Sequence, residues 1–177
     1  METKLPFKFF LLIQTCFVLL FPLKAQQDYN YLVKYLPIVE TVGSFQKSEI
    51  LIDEPCEECL PTVTVLYQNQ GSGDEGEDYS DLGQTISFTI VDCKGANEYL
   101  NSMLEVSTES QSPFIINKKY DGWKEKIEND FGIHECIYTY SVADRFLIQI
   151  NGGKGDVFAE MDKIIESTDH EKLELVK

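Results

Sequence analysis

The sequence predicts a single α+β domain over residues 48–177, with an antiparallel sheet of about five to seven strands and two main helices packed on it. Three observations lead there. Several short segments alternate apolar and polar residues with a period of two, the pattern of a sheet with one buried face. Two segments space their apolar residues three and four apart, as a helix with one buried stripe requires. Clusters of Gly, Pro, Asn and Asp separate these segments at turn-like intervals.

The elements follow in order. Residues 26–47 form an N-terminal segment in which Tyr31, Leu32, Tyr35, Leu36 and Val39 allow a short helix up to Pro37. Ser48 to Asp53 is a short strand. Pro55 to Pro61 is a turn holding Cys56 and Cys59. Thr62 to Gln68 alternates as a strand, with Val63, Val65 and Tyr67 on one face. Gln70 to Gly83 is an acidic, glycine-rich loop. Gln84 to Val91 is the clearest strand, with Ile86, Phe88 and Ile90 on one face and Thr85, Ser87 and Thr89 on the other. Asn97 to Ser107 has helical spacing at Tyr99, Leu100, Met103 and Leu104. After Pro113 comes Phe-Ile-Ile-Asn, a turn around Tyr120 to Trp123, and a strand from Trp123 to Glu128. Cys136, Tyr138, Tyr140 and Val142 share a face of the next strand. Ala143-Asp144 is a turn. Arg145 to Asn151 is the last strand, broken at Gly152, Gly153 and Gly155. Asp156 is placed to cap a helix running through Ser167 that buries Phe158, Met161, Ile164 and Ile165. Asp169 is placed to cap a final short turn that packs Leu173.

Residues 1–25 read as a cleaved signal peptide. Lys4 and Lys8 precede a mostly apolar run from Phe9 to Phe21, Pro22 ends it, and Leu23-Lys24-Ala25 offers a cleavage site. The run is shorter than the roughly 20 apolar residues of a spanning helix, and none of that length follows. A secreted or periplasmic location is therefore expected, with no stable membrane span after cleavage. The signal holds three of the chain's 15 basic residues and one of its 30 acidic ones. The remainder thus has 12 basic and 29 acidic residues, a net charge of -17 against -15 for the whole chain. So acidic a chain has too little Lys and Arg to neutralise nucleic-acid phosphates, and it is repelled by anionic membrane surfaces.

Cysteine chemistry follows from the compartment. Cys16 leaves with the signal, and Cys56, Cys59, Cys93 and Cys136 remain as disulfide candidates. The spacing favours a local Cys56–Cys59 link and a long-range Cys93–Cys136 link. Thiol–disulfide exchange at Cys56/Cys59 is an alternative activity. Against it, Glu57 and Glu58 between the thiols raise their pKa, and Pro55 and Pro61 argue for a loop rather than the helix N-terminus such motifs use. Asp74, Glu75, Glu77, Asp78 and Asp81 crowd one loop and could hold Ca²⁺, although their spacing is not that of a helix-loop-helix calcium site. Asn151 to Asp156 is Gly-rich and precedes a helix. It lacks the Ser or Thr after Lys154 that a phosphate loop needs, and Asp156 would repel a phosphate. No catalytic residue is assigned and no cofactor is expected. His134 and His170 lack metal-ligand partners at suitable spacing. Arg145 is the only Arg, and an ion pair with Asp92 or Asp144, or a clasp on backbone carbonyls, is its expected role.

The strand from Ile86 to Asp92, the Val142 to Gly152 segment containing Asp144-Arg145-Phe146, and the closing Asp169 to Leu173 turn resemble a group of small secreted bacterial proteins of unassigned function. The layout is similar to the Mog1/PsbP-like sandwich, across roughly residues 60–175. The resemblance implies an antiparallel sheet with packed helices, in proteins that act as accessory or partner-binding modules. The expected function is accordingly a non-enzymatic secreted or periplasmic module that binds a protein partner or small ligand, with a groove near Arg145 and Trp123 as its site.

Overall fold

The computed structural model describes residues 29–53, 59–69, 85–128, 134–153 and 155–176. The predicted acidic loop at 70–83, and Cys56, lie outside the described residues.

One antiparallel sheet of eight strands carries the fold. The strands are β1 (Thr41–Val42), β2 (Phe45–Ile52), β3 (Thr62–Asn69), β4 (Thr85–Asp92), β5 (Gln111–Ile116), β6 (Tyr120–Glu128), β7 (His134–Val142) and β8 (Phe146–Gly153). Their spatial order is β1-β2-β3-β4-β8-β7-β6-β5. The sheet is thus two four-stranded meanders joined where β4 pairs with β8. The helical elements are short: a 3-10 helix at Tyr29–Tyr35, α1 at Asn97–Leu104, α2 at Phe158–Glu166 and α3 at His170–Glu174. The molecule is therefore mostly sheet. Its eight strands exceed the expected five to seven, and among the described residues no helix is longer than nine residues. Two strands are unexpected: β1, whose two residues are too few to show a period, and β5, whose Pro113 reads against a strand.

Register explains which residues are buried. Ile86, Phe88 and Ile90 lie opposite Gly152, Ile150 and Ile148, and Tyr67, Val65 and Val63 line up on the other side of β4. These side chains form one face, and all six of the named β3 and β4 side chains are fully buried. Cys136, Tyr138, Tyr140 and Val142 extend it across β7. The 3-10 helix covers it with Leu32 and Tyr35, and α2 with Met161, Ile164 and Ile165. Burial of such side chains contributes roughly 1.5–3 kcal/mol each. On the opposite face Thr64 and Thr89 hydrogen-bond across strands at 2.9 Å. There a smaller core forms where α1 packs Leu100 against Val91, Cys93 and Leu147.

Several boundaries differ from the sequence pattern. β2 begins at Phe45 rather than Ser48, and a register shift between Lys47 and Glu49 hides its alternation. β5 includes Pro113, tolerated because β5 is an edge strand. β8 runs through Gly152 instead of breaking there. A Cβ built on Gly152 would run into Cγ2 of Val157, so glycine here lets the chain before α2 approach the sheet. The N-cap of α2 is Val157, without a side-chain cap bond; Asp156 only accepts the Phe158 N–H, at 3.4 Å. Asp169 caps α3 as expected, accepting the Lys172 N–H at 3.0 Å.

Candidate functional site

Two polar clusters stand at the margins of the main core. The first is built on Asp92, the last residue of β4. Alternation puts Asp92 on the main-core face, opposite Phe146, where its side chain is 3% exposed. The β7–β8 turn then delivers Arg145 to it. Ala143 and Asp144 both take positive φ, 57° and 49°, as a two-residue hairpin turn of the mirror-image type demands. Arg145 donates from Nε to Asp92 Oδ1 at 2.8 Å and from Nη2 to Oδ2 at 2.5 Å. Its Nη1 donates to the Val176 carbonyl at 3.0 Å. Tyr31 donates a short hydrogen bond to the same carboxylate, and the Lys94 N–H adds another at 3.0 Å. Burial alone would raise the Asp92 pKa, but these bonds outweigh it and hold the carboxyl below its ordinary value. Burial and the Asp92 carboxylate together push the Tyr31 hydroxyl far up.

This cluster answers the sequence question about Arg145. Its partner is Asp92, and it also clasps a backbone carbonyl; its bonds run to the end of β4 and the C-terminal segment, while Tyr31 brings in the 3-10 helix. Trp123 sits elsewhere. It lies on the other face of the sheet, 7% exposed beneath α1, and donates from Nε1 to the Met103 carbonyl at 2.9 Å. Arg145 and Trp123 therefore do not meet in one groove.

The second cluster surrounds His170, the first residue of α3. Its Nε2 lies 2.9 Å from the Tyr140 hydroxyl, and its ring packs on Tyr120 with centroids 5.1 Å apart. The Tyr120 hydroxyl donates to Glu174 at 2.8 Å, and Lys119 donates to the same carboxylate at 2.7 Å. Burial lowers the His170 pKa, against a hydrogen bond to the Thr168 carbonyl and the charges of Asp169 and Glu174. The imidazole is neutral at pH 7 in consequence. Burial also raises the Tyr140 hydroxyl well above its ordinary value. Outside this cluster a cleft of about 440 Å³ opens between the β5–β6 turn and the α2–α3 junction. Ile38, Asn117, Tyr120, Glu166, Asp169 and Glu171 are among its lining residues. Lys119 and Lys172 at this end are paired with Glu174 and Asp169. Glu166 and Glu171 give the cleft an acidic rim.

Sequence reasoning passed over this cleft, because His170 has no ligand-spaced partner along the chain. Its partners come from β6 and β7, about 50 and 30 residues away, and only the helix–sheet packing brings them together. The one available signal was Asp169, whose capping role fixes the start of α3.

Cys93 and Cys136 are free, buried thiols, which corrects the expected long-range disulfide between them. They face different cores: Cys93 packs with Val91 and Leu147, whereas Cys136 lies with Tyr138 and Met161. Burial raises both thiol pKa values. Cys59 is disulfide-bonded. Its chain continues through Pro61 straight into β3, so no helix N-terminus follows it to stabilise a thiolate. Among the described residues, no group of three or more His, Cys, Asp and Glu could hold a metal ion. Asp74, Glu75, Glu77, Asp78 and Asp81 lie outside those residues. No helix of the described residues is long and apolar enough to cross a membrane. Compared with known proteins, the chain matches no family model, no curated protein and no solved structure.

Proposed function

We propose that the protein is a non-enzymatic accessory module, exported from the cytoplasm, that binds a small ligand or a side chain of a partner protein in the cleft beside His170. The observation that carries this reading is the preorganised wall of that cleft. Tyr120 is held by Glu174, and His170 by Tyr140, before any ligand arrives. A wall fixed in this way loses little side-chain freedom on binding. With Lys119 and Lys172 already paired, the rim carboxylates of Glu166 and Glu171 select for a cationic group, such as an amine or a guanidinium. In the same reading the sheet and its flanking helices form an α+β sandwich of the Mog1/PsbP-like kind. Thiol–disulfide exchange ranks below binding, because a strand and not a helix follows Cys59.

Nuclear magnetic resonance titration of the labelled protein with small amines and guanidinium compounds tests the reading. Saturable shifts should cluster at Asn117, Tyr120, Thr168 and Glu171, and Glu171→Arg should abolish them. Shifts scattered over the acidic surface, or a response unchanged by Glu171→Arg, would remove the cleft as the site.

A further inference from the structure

We propose that the outer edge of β2 is a docking edge for an extended segment of a partner protein, of the form basic–apolar–apolar–apolar–basic, which joins the sheet as a further strand. This edge shares no residue with the cleft beside His170, and the inference stands apart from the cleft reading. β1 covers only the beginning of β2. Thr41 pairs with Gln46 and Val42 with Phe45, and the Glu40 carbonyl accepts the Lys47 N–H at 2.8 Å. Among the described residues, no strand pairs with the outer side of β2 beyond that point. Asp53 donates its N–H inward to the Thr62 carbonyl at 3.2 Å. By the two-residue alternation of an antiparallel ladder, Ile50 and Ile52 then turn their N–H and C=O groups outward.

Edges of this kind are usually blunted. At the far side of the sheet β5 carries Pro113. The Ser48 to Ile52 stretch has no proline, and its apolar residues stay open: Ile50, Leu51 and Ile52 are 41%, 42% and 40% exposed. An open ladder flanked by apolar side chains on both faces is the geometry of β-strand addition.

The side chains define the occupant. Ile50 and Ile52 lie opposite Val65 and Val63, on the main-core face. Glu49, Leu51 and Asp53 alternate on the other face, so two carboxylates bracket one apolar residue. A strand laid along these five residues meets apolar side chains at its three central positions and carboxylates at its ends. Lys or Arg at those ends makes favourable cross-strand pairs. A second copy of this chain fits less well. The register that lays the three apolar residues of two β2 strands on each other sets Glu49 against Asp53, between chains that each carry a charge of -15.

Fluorescence anisotropy with the full protein and a labelled, end-capped peptide containing Lys-Val-Ile-Val-Lys tests the proposal at low salt. Saturable binding is expected. Replacing both lysines with Glu should weaken it roughly tenfold, and proline at the central position should abolish it. The double variant Glu49→Lys/Asp53→Lys should reverse the preference between the two charged peptides. Ile50→Pro removes an outward N–H while sparing the ladder to β3, and should abolish binding with an unchanged circular dichroism spectrum. If Ile50→Pro does not fold, the charge-reversed variant still decides the matter. Equal binding of both charged peptides, no binding of either, or a preference unmoved by the charge reversal would overturn the proposal. So would a dimer, seen by sedimentation, that Ile50→Pro dissolves, because the edge would then belong to a second copy.

Discussion

The Arg145 guanidinium spends two hydrogen bonds on one buried carboxylate and a third on a chain-end carbonyl. A buried pair of this kind adds little by existing, since both charges had to leave water; its weight shows when one partner is removed. Arg145→Ala leaves Asp92 charged in a site 3% exposed, and should cost about 3 kcal/mol in urea unfolding. Adding Asp92→Asn to Arg145→Ala should recover part of that loss, and additive single effects would show that the two residues are not coupled. The sign with pH follows from the lowered Asp92 pKa. Its contribution is complete above the ordinary carboxylate value near 4 and fades as pH falls through the lower folded value. The same hairpin contains avoidable strain. Ala143 sits at φ 57°, a region that L side chains other than Asn and Asp rarely adopt. Ala143→Asn should therefore raise stability by about 0.5–1 kcal/mol, checked by the urea midpoint. The turn at Ala143-Asp144 was legible in the sequence from its position between two alternating runs. The choice of Asp92 over the adjacent Asp144 as Arg145's partner was not, since it depends on β4 lying beside β8.

At the scale of elements, strong alternation gave β3, β4, β7 and β8 their positions and faces, because each has one buried side that polar residues would spoil. β2 escaped full reading because its register shift moves the apolar set between faces midway. α3 is only five residues long and cannot persist on local propensity alone. Leu173 and His170, both buried, fasten it to the sheet. This makes α3 the acid-sensitive element. The groups around the imidazole are Tyr140, Tyr120, Asp169 and Glu174. Burial dominates over the two carboxylates and lowers the His170 pKa, so the unfolded chain binds a proton more readily than the folded one. Its contribution is present above the ordinary value near 6.5 and is lost as pH falls below it. Stability measured at pH 7.5 and at pH 5.5 should differ more in the wild type than in His170→Gln. Equal pH slopes in the two proteins would mean that the imidazole does not carry this effect.

On the scale of the whole molecule, sequence and structure agree on an antiparallel sheet, whereas the expected two main helices are short and the strand order comes from long-range pairing. Two meanders could each have closed locally. What sets β8 beside β4 is the match of Ile148 and Ile150 to Ile90 and Phe88, and that match has no signature in either segment alone. The chain that results is strongly acidic, with 30 acidic against 15 basic residues. Compacting it brings like charges closer, which opposes folding. The buried Asp92–Arg145 pair is little affected by salt, because ions do not enter its site. Surface pairs such as Lys172–Asp169 weaken in salt, but exposed pairs of this kind are worth only about 0–1 kcal/mol. Screening the net repulsion is therefore the larger effect. The melting temperature at pH 7 should rise as sodium chloride increases from about 10 mM to 150 mM, over which the Debye length shrinks from roughly 30 Å to 8 Å. Potassium chloride should act equally, as screening does not distinguish the cation. A fall in melting temperature with salt would mean that favourable surface pairs, not net repulsion, dominate the electrostatics of this fold.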